Sequence, residues 1–223
     1  MISYWIGKTW LKTFGWTLEG GLPDKPKLVL IAAPHTSNWD FPFMMATAYV
    51  MRADLSWLGK HTLFEGPFGW FFKGMGGIAV DRRSPQNLVQ KVVDLFNKEE
   101  TLILAVPPEG TRGKVEHWKS GFYRMALAAN VPIGLAFLDF DRKVCGIGAY
   151  VMPTGDVKAD MDKIRAFYAP IRGKHPEKQG IPRLKDEDEP VVESAKPVAA
   201  PAHVPSPLNG HSRESASRSS ARS

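Results

Sequence analysis

The feature that most constrains this chain is an alternation of short apolar runs with helical patterns. "KLVLIAA", "LSWLG", "GGIAV", "TLILAV" and "PIGLAFLDF" are bounded by turn-forming or polar residues and read as strands. Between them lie "DFPFMMATAYVM", "SPQNLVQKVVDLFNK" and "SGFYRMALAAN". Leu88, Val92, Leu95 and Phe96 share one helical face in the second; Phe122, Met125, Ala126 and Ala129 do so in the third. "RKVCGIGAYV" reads as a further strand and "KADMDKIRAFYAPIRG" as a closing helix. The alternation predicts one α/β domain, with a mostly parallel sheet flanked by helices on both faces.

The pattern stops near residue 178. The C-terminal stretch beyond it is rich in Pro, Ala and Ser and has no aromatic residue. Such a composition cannot bury a core. The expected organisation is a domain over residues 1–178 and a disordered tail over residues 179–223. Residues 181–223 carry six Lys or Arg and six Asp or Glu, so the net charge of +6 belongs to the folded part. A basic domain favours anionic partners: phosphates, acidic lipid or nucleic acid. No recognisable nucleic-acid motif accompanies the charge, so no nucleic-acid partner is expected.

Cys145 is the only cysteine, which excludes an intramolecular disulfide and points to a reducing compartment. No Cys/His set has zinc spacing, and no metal is expected. No apolar run reaches the length of a spanning helix. The N-terminal "MISYWIGKTWLKTFGWTLEGG" lacks the features of a secretory signal, because Lys8 and Lys12 interrupt it. Read as a helix, it repeats Ile2, Ile6, Trp10 and Phe14 at every fourth position, either to lie in a membrane interface or to pack on the core. "FEGPFGWFFKGMGG" offers a second aromatic cluster for partial membrane contact.

"APHTSNWDFPF" places His35 just past a strand and Asp40 where the next helix begins. Five residues match neither the helical nor the strand period, because the pair spans a strand-to-helix junction. A histidine there can take a proton from a hydroxyl, and a carboxylate on its other nitrogen would set the tautomer. Alternatively, Asp40 is simply a helix cap. "GGIAVDRR" and "VPPEGTRGK" follow two other predicted strands, so His35, Arg82 and Glu109 would share one edge of a parallel sheet.

With these motifs in hand, the chain resembles the glycerolipid acyltransferases typified by 1-acylglycerol-3-phosphate acyltransferase. The H-x4-D motif appears as "HTSNWD", the Gly-rich stretch with its Asp-Arg pair as "GMGGIAVDRR", the P-E-G-T-R block as "PPEGTRG" and the V-P-I segment as "VPIGLAF". All four occur in family order between residues 28 and 140. Gly113 stands where the family often has Ser, and Gly134 and Leu135 where it often has a second proline.

The resemblance implies acyl transfer from acyl-CoA or acyl carrier protein to a lysophospholipid hydroxyl, with 1-acylglycerol-3-phosphate the leading acceptor. His35 would be the general base and Asp40 its orienting partner. Arg82 would bind the acceptor phosphate; Glu109, Gly110, Thr111 and Arg112 would position the glycerol phosphate, with Lys60 beside them. The thioester is a co-substrate and no cofactor is implied. The expected setting is the cytoplasmic face of a membrane, peripherally bound. Other lysolipid, aminolipid or glycolipid acceptors remain open, as does a non-catalytic lipid-binding role.

Overall fold

The computed structural model describes residues 2–23, 26–80 and 85–187. In chain order the elements are α1 (Ile2–Thr13), β1 (Thr17–Gly20), β2 (Lys27–Ala33), α2 (Asp40–Met51), β3 (Leu55–Lys60), α3 (Thr62–Glu65) and α4 (Gly69–Gly74). Then come β4 (Gly77–Val80), α5 (Pro85–Lys98), β5 (Leu102–Val106), α6 (Gly121–Ala129), β6 (Ile133–Asp139), β7 (Val144–Val151) and α7 (Val157–Tyr168). The seven strands form one sheet in the order β1-β7-β6-β2-β5-β3-β4. From β6 to β4 every neighbouring pair is parallel; β7 returns antiparallel to β6, and β1 lies parallel to β7. The mostly parallel α/β sheet expected from the alternation is the architecture found.

The central strand β2 shows why these residues make this fold. Its side chains alternate between faces. Val29, Ile31 and Ala33 join the core beneath α5, α6 and α7, with Phe96, Phe122 and Ile164. Leu28 and Leu30 join Ile103 and Ile147 on the opposite face, where Met51 of α2 packs. Both faces are covered, so the run is apolar throughout. The faces also explain the position of the site. β2 leaves through α2 on one face, and its neighbour β5 leaves through α6 on the other. Adjacent strands with connections to opposite faces form a switch point, and α/β sheets bind ligands at the carboxyl ends of such strands. His35 and Glu109 occupy those two ends.

The N-terminal helix packs on α2 with part of the expected stripe: the Trp10 and Phe14 rings meet Phe43 of α2 at 5.9 and 5.5 Å between centroids. Gly7 and Leu11 are its buried residues, while Ile2, Trp5 and Ile6 are exposed. A methyl group on Gly7 would lie 2.6 Å from the Ala46 carbonyl oxygen, so glycine permits the close helix crossing. The aromatic segment divides similarly. Phe64 and Phe72 pack around Trp57, whereas Phe68, Trp70 and Phe71 are exposed.

The packed chain continues past the boundary expected at residue 178. Leu184 is fully buried in the main core, the Trp118 N–H donates to the Arg183 carbonyl at 2.7 Å, and Arg165 pairs with Glu187 at 2.9 Å. The remainder of the predicted tail, residues 188–223, lies outside the described residues.

Candidate active site

β2 ends at Ala33, and a cis Ala33–Pro34 bond leads into the loop that carries His35. The His35 Nδ1 lies 3.0 Å from Asp40 Oδ2. That same oxygen accepts from the Thr36 N–H at 2.8 Å and the Ser37 N–H at 2.9 Å. Asp40 is 1% exposed and begins α2, where a carboxylate is favoured by the helix N-terminus. It is therefore more than a helix cap: it ties the whole loop to the helix. A carboxylate only accepts, so Nδ1 carries the imidazole proton and Nε2 is left as the basic nitrogen. Ser37 Oγ accepts from the Trp39 N–H at 3.1 Å, a turn role.

Glu109 follows β5 and is buried, with Oε2 accepting from the His35 N–H at 3.1 Å. Its other oxygen, Oε1, is buried and has no hydrogen-bond partner among the described residues. Burial raises its pKa to about 7; the His35 N–H bond and the imidazole oppose the rise, and Asp40 adds to it. The family resemblance puts Glu109 among the acceptor-binding residues. It is turned to the backbone of the histidine instead, and it lies outside the cavity lining.

His35 itself borders a cavity of about 630 Å³. Its origin is legible in the strands. Leu28, Leu30 and Ile103 fill the lower part of the face under α2, but Ala32, Ala105 and Ala136 follow toward the strand ends. Small side chains there, opposite Met44 and Ala48 of α2, leave an apolar void. Two exposed residues also line it, Phe41 (58% exposed) from α2 and Leu63 (44%) from α3, so the mouth has an apolar rim.

The remaining expected residues separate clearly. Gly110, at φ +70°, lines the cavity, as does Lys60 at the end of β3. Thr111 is exposed, and its hydroxyl accepts weakly from the Gly113 N–H at 3.4 Å. The exposed Arg112 donates to Asn38 Oδ1, bridging the two loops, and does not line the cavity. Arg82 lies outside the described residues.

A buttress for the histidine loop has no counterpart among the sequence motifs. The His175 N–H donates to Thr36 Oγ1 at 3.2 Å, and Gly173 packs so closely that a methyl group would lie 2.8 Å from that oxygen and 3.0 Å from Pro34 Cγ. "IRGKH" has no periodic or chemical signature that would reveal this contact. Among the described residues, no group of three or more His, Cys, Asp or Glu side chains is arranged to hold a metal ion.

Comparison with known proteins gives these loops a context. A solved structure similar to this chain is the 1-acyl-sn-glycerophosphate (LPA) acyltransferase PlsC from Thermotoga maritima. The two share 20% identity over 75% of this chain and 73% of that one, with a TM-score of 0.48. No curated protein matches. The family profile named Acyltransferase matches residues 20–134, more than half of the 223 residues. The match runs from the last residue of β1 into β6 and takes in both loops that meet at His35, and the protein belongs to the acyltransferase family.

Proposed function

We propose that the protein transfers a fatty acyl group from an acyl thioester, on CoA or acyl carrier protein, to the hydroxyl of 1-acylglycerol-3-phosphate, giving phosphatidic acid. The observation that carries this reading is the His35–Asp40 pair at 3.0 Å beside an apolar cavity of about 630 Å³. A cavity of this size is in the range that holds a small ligand. Its alanine floor suits an acyl chain better than a polar metabolite.

In the proposed reaction His35 Nε2 takes the hydroxyl proton as the oxygen attacks the thioester carbonyl. Asp40 stabilises the imidazolium that forms. Collapse of the tetrahedral intermediate breaks the C–S bond, and the imidazolium returns its proton to the departing thiolate. The acyl group passes directly to the acceptor. Ser37 holds a turn and Cys145 is buried in β7 beside Thr17, and neither lines the cavity.

A lipid acceptor has to be reached at a surface. The apolar rim formed by Phe41 and Leu63, with Trp5, Ile6, Trp70 and Phe71 exposed on α1 and α4, supports peripheral binding to a membrane. No described helix is long and apolar enough to cross one. The positive charge of the chain favours an anionic leaflet, which is the cytoplasmic one.

The test is product identification. Purified protein is incubated with a labelled long-chain acyl-CoA, or the acyl carrier protein thioester, and a panel of lysolipids in vesicles. Labelled phosphatidic acid is expected. Product formed only from an uncharged or aminolipid acceptor would replace the proposed substrate, and no product from any pair would remove the catalytic reading.

A further inference from the structure

The proposed acceptor carries a phosphate; of the two arginines expected near it, Arg82 lies outside the described residues and Arg112 does not line the cavity. Arg112 is turned aside to Asn38 Oδ1. Among the described residues, the lysine and arginine side chains that do line it are Lys60 and Lys119. Lys119 takes no part in the proton and acyl transfers assigned to His35 and Asp40, and the sequence patterns do not single it out.

Its position is specific. The Lys119 N–H donates to the Pro108 carbonyl at 2.8 Å, which folds the residue back onto the loop carrying Glu109 and Gly110. The side chain then crosses Gly110: a Cβ there would lie 2.7 Å from Lys119 Nζ and 2.7 Å from Cε. Glycine at 110 thus serves two needs, a positive φ and space for this ammonium. No carboxylate among the described residues pairs with Lys119. Lys119 is exposed, and an ammonium with no counter-ion among the described residues, in the lining of the cavity that His35 also borders, is available to an anion.

Building on the proposed reaction, we infer that Lys119 binds the phosphate of the acceptor, with Lys60 as the second lysine of the lining. The ammonium donates charge-assisted hydrogen bonds to phosphate oxygens while His35 faces the hydroxyl. Lys119 thereby selects phosphorylated over uncharged acceptors and acts chiefly on binding.

The experiment compares wild type, Lys119→Ala and Lys119→Arg with 1-acylglycerol-3-phosphate and with uncharged 1-acylglycerol as acceptors. Inhibition by glycerol 3-phosphate supplies a second reading of the same site. For Lys119→Ala, KM for the phosphorylated acceptor and the inhibition constant for glycerol 3-phosphate are expected to rise roughly 10- to 100-fold. The rate with 1-acylglycerol should be unchanged, and Lys119→Arg should recover most of the loss. Equal loss on both acceptors would assign Lys119 a structural role and overturn the inference. Unchanged constants for Lys119→Ala, with phosphatidic acid still formed, would overturn it and leave the proposed reaction standing. A wild type that acylates no phosphorylated acceptor would overturn both.

Discussion

Asp40 Oδ2 accepts from three donors at once, and two of them are backbone N–H groups of the loop that His35 itself begins. Orientation of the imidazole and shape of the loop therefore depend on one atom. Asp40→Asn can offer its amide oxygen to only part of this set and carries no charge to stabilise an imidazolium. A fall in kcat of about 10²–10⁴ is expected, measured beside a thermal melt to exclude unfolding. Glu109 gives a prediction of opposite character. Its carboxyl has a pKa of about 7 in the folded protein, raised from 4.5. Between those values the folded state holds a proton that the unfolded chain has lost, so unfolding free energy falls as pH rises through the window and levels off above 7. Glu109→Gln should abolish this slope, worth roughly 3 kcal/mol, in chemical denaturation followed from pH 4.5 to 8. His35 and Asp40 are legible in the sequence because both belong to one short loop. The placement of Glu109 is not, because its partner is a backbone N–H 74 residues upstream, and side-chain chemistry alone does not report which backbone donor it meets.

Among the elements, the parallel strands and the long helices follow from hydrophobic periodicity. The edge strand β1, "TLEG", does not: it is four residues long, largely exposed, and formed by pairing with β7. The face of α1 is legible only in part: Trp10 of the apolar stripe meets Phe43 of α2, but Ile2 and Ile6 are exposed, and the close helix crossing is made at Gly7. Hydropathy records attraction to a core and is silent about how near two backbones come. The segment after α7 raises the same point with a functional consequence. Gly173→Ala would push a methyl group against Thr36 and Pro34, the residues on either side of His35. Steady-state kinetics should show kcat falling about tenfold or more from the displaced base, with only a modest drop in melting temperature.

At the scale of the whole molecule, the apolar cavity, its exposed rim and the surface aromatics support the proposed action on a lipid substrate at a membrane surface. Trp5 and Trp70 are exposed and do not line the cavity, so the double variant Trp5→Ser, Trp70→Ser separates docking from chemistry. Sedimentation with anionic vesicles should weaken roughly tenfold while the melting temperature holds. Domain extent is only partly legible: Leu184 and Glu187 sit in a polar, proline-containing stretch, yet Leu184 is fully buried against the main core. The proposed role of His35 as the base of an acyl transfer is tested by kcat/KM for phosphatidic acid formation by wild type and His35→Ala at equal melting temperature. The variant should lose a factor of about 10²–10⁴. A variant within a few-fold of wild type would contradict it, and the site would then have to be sought elsewhere in the fold.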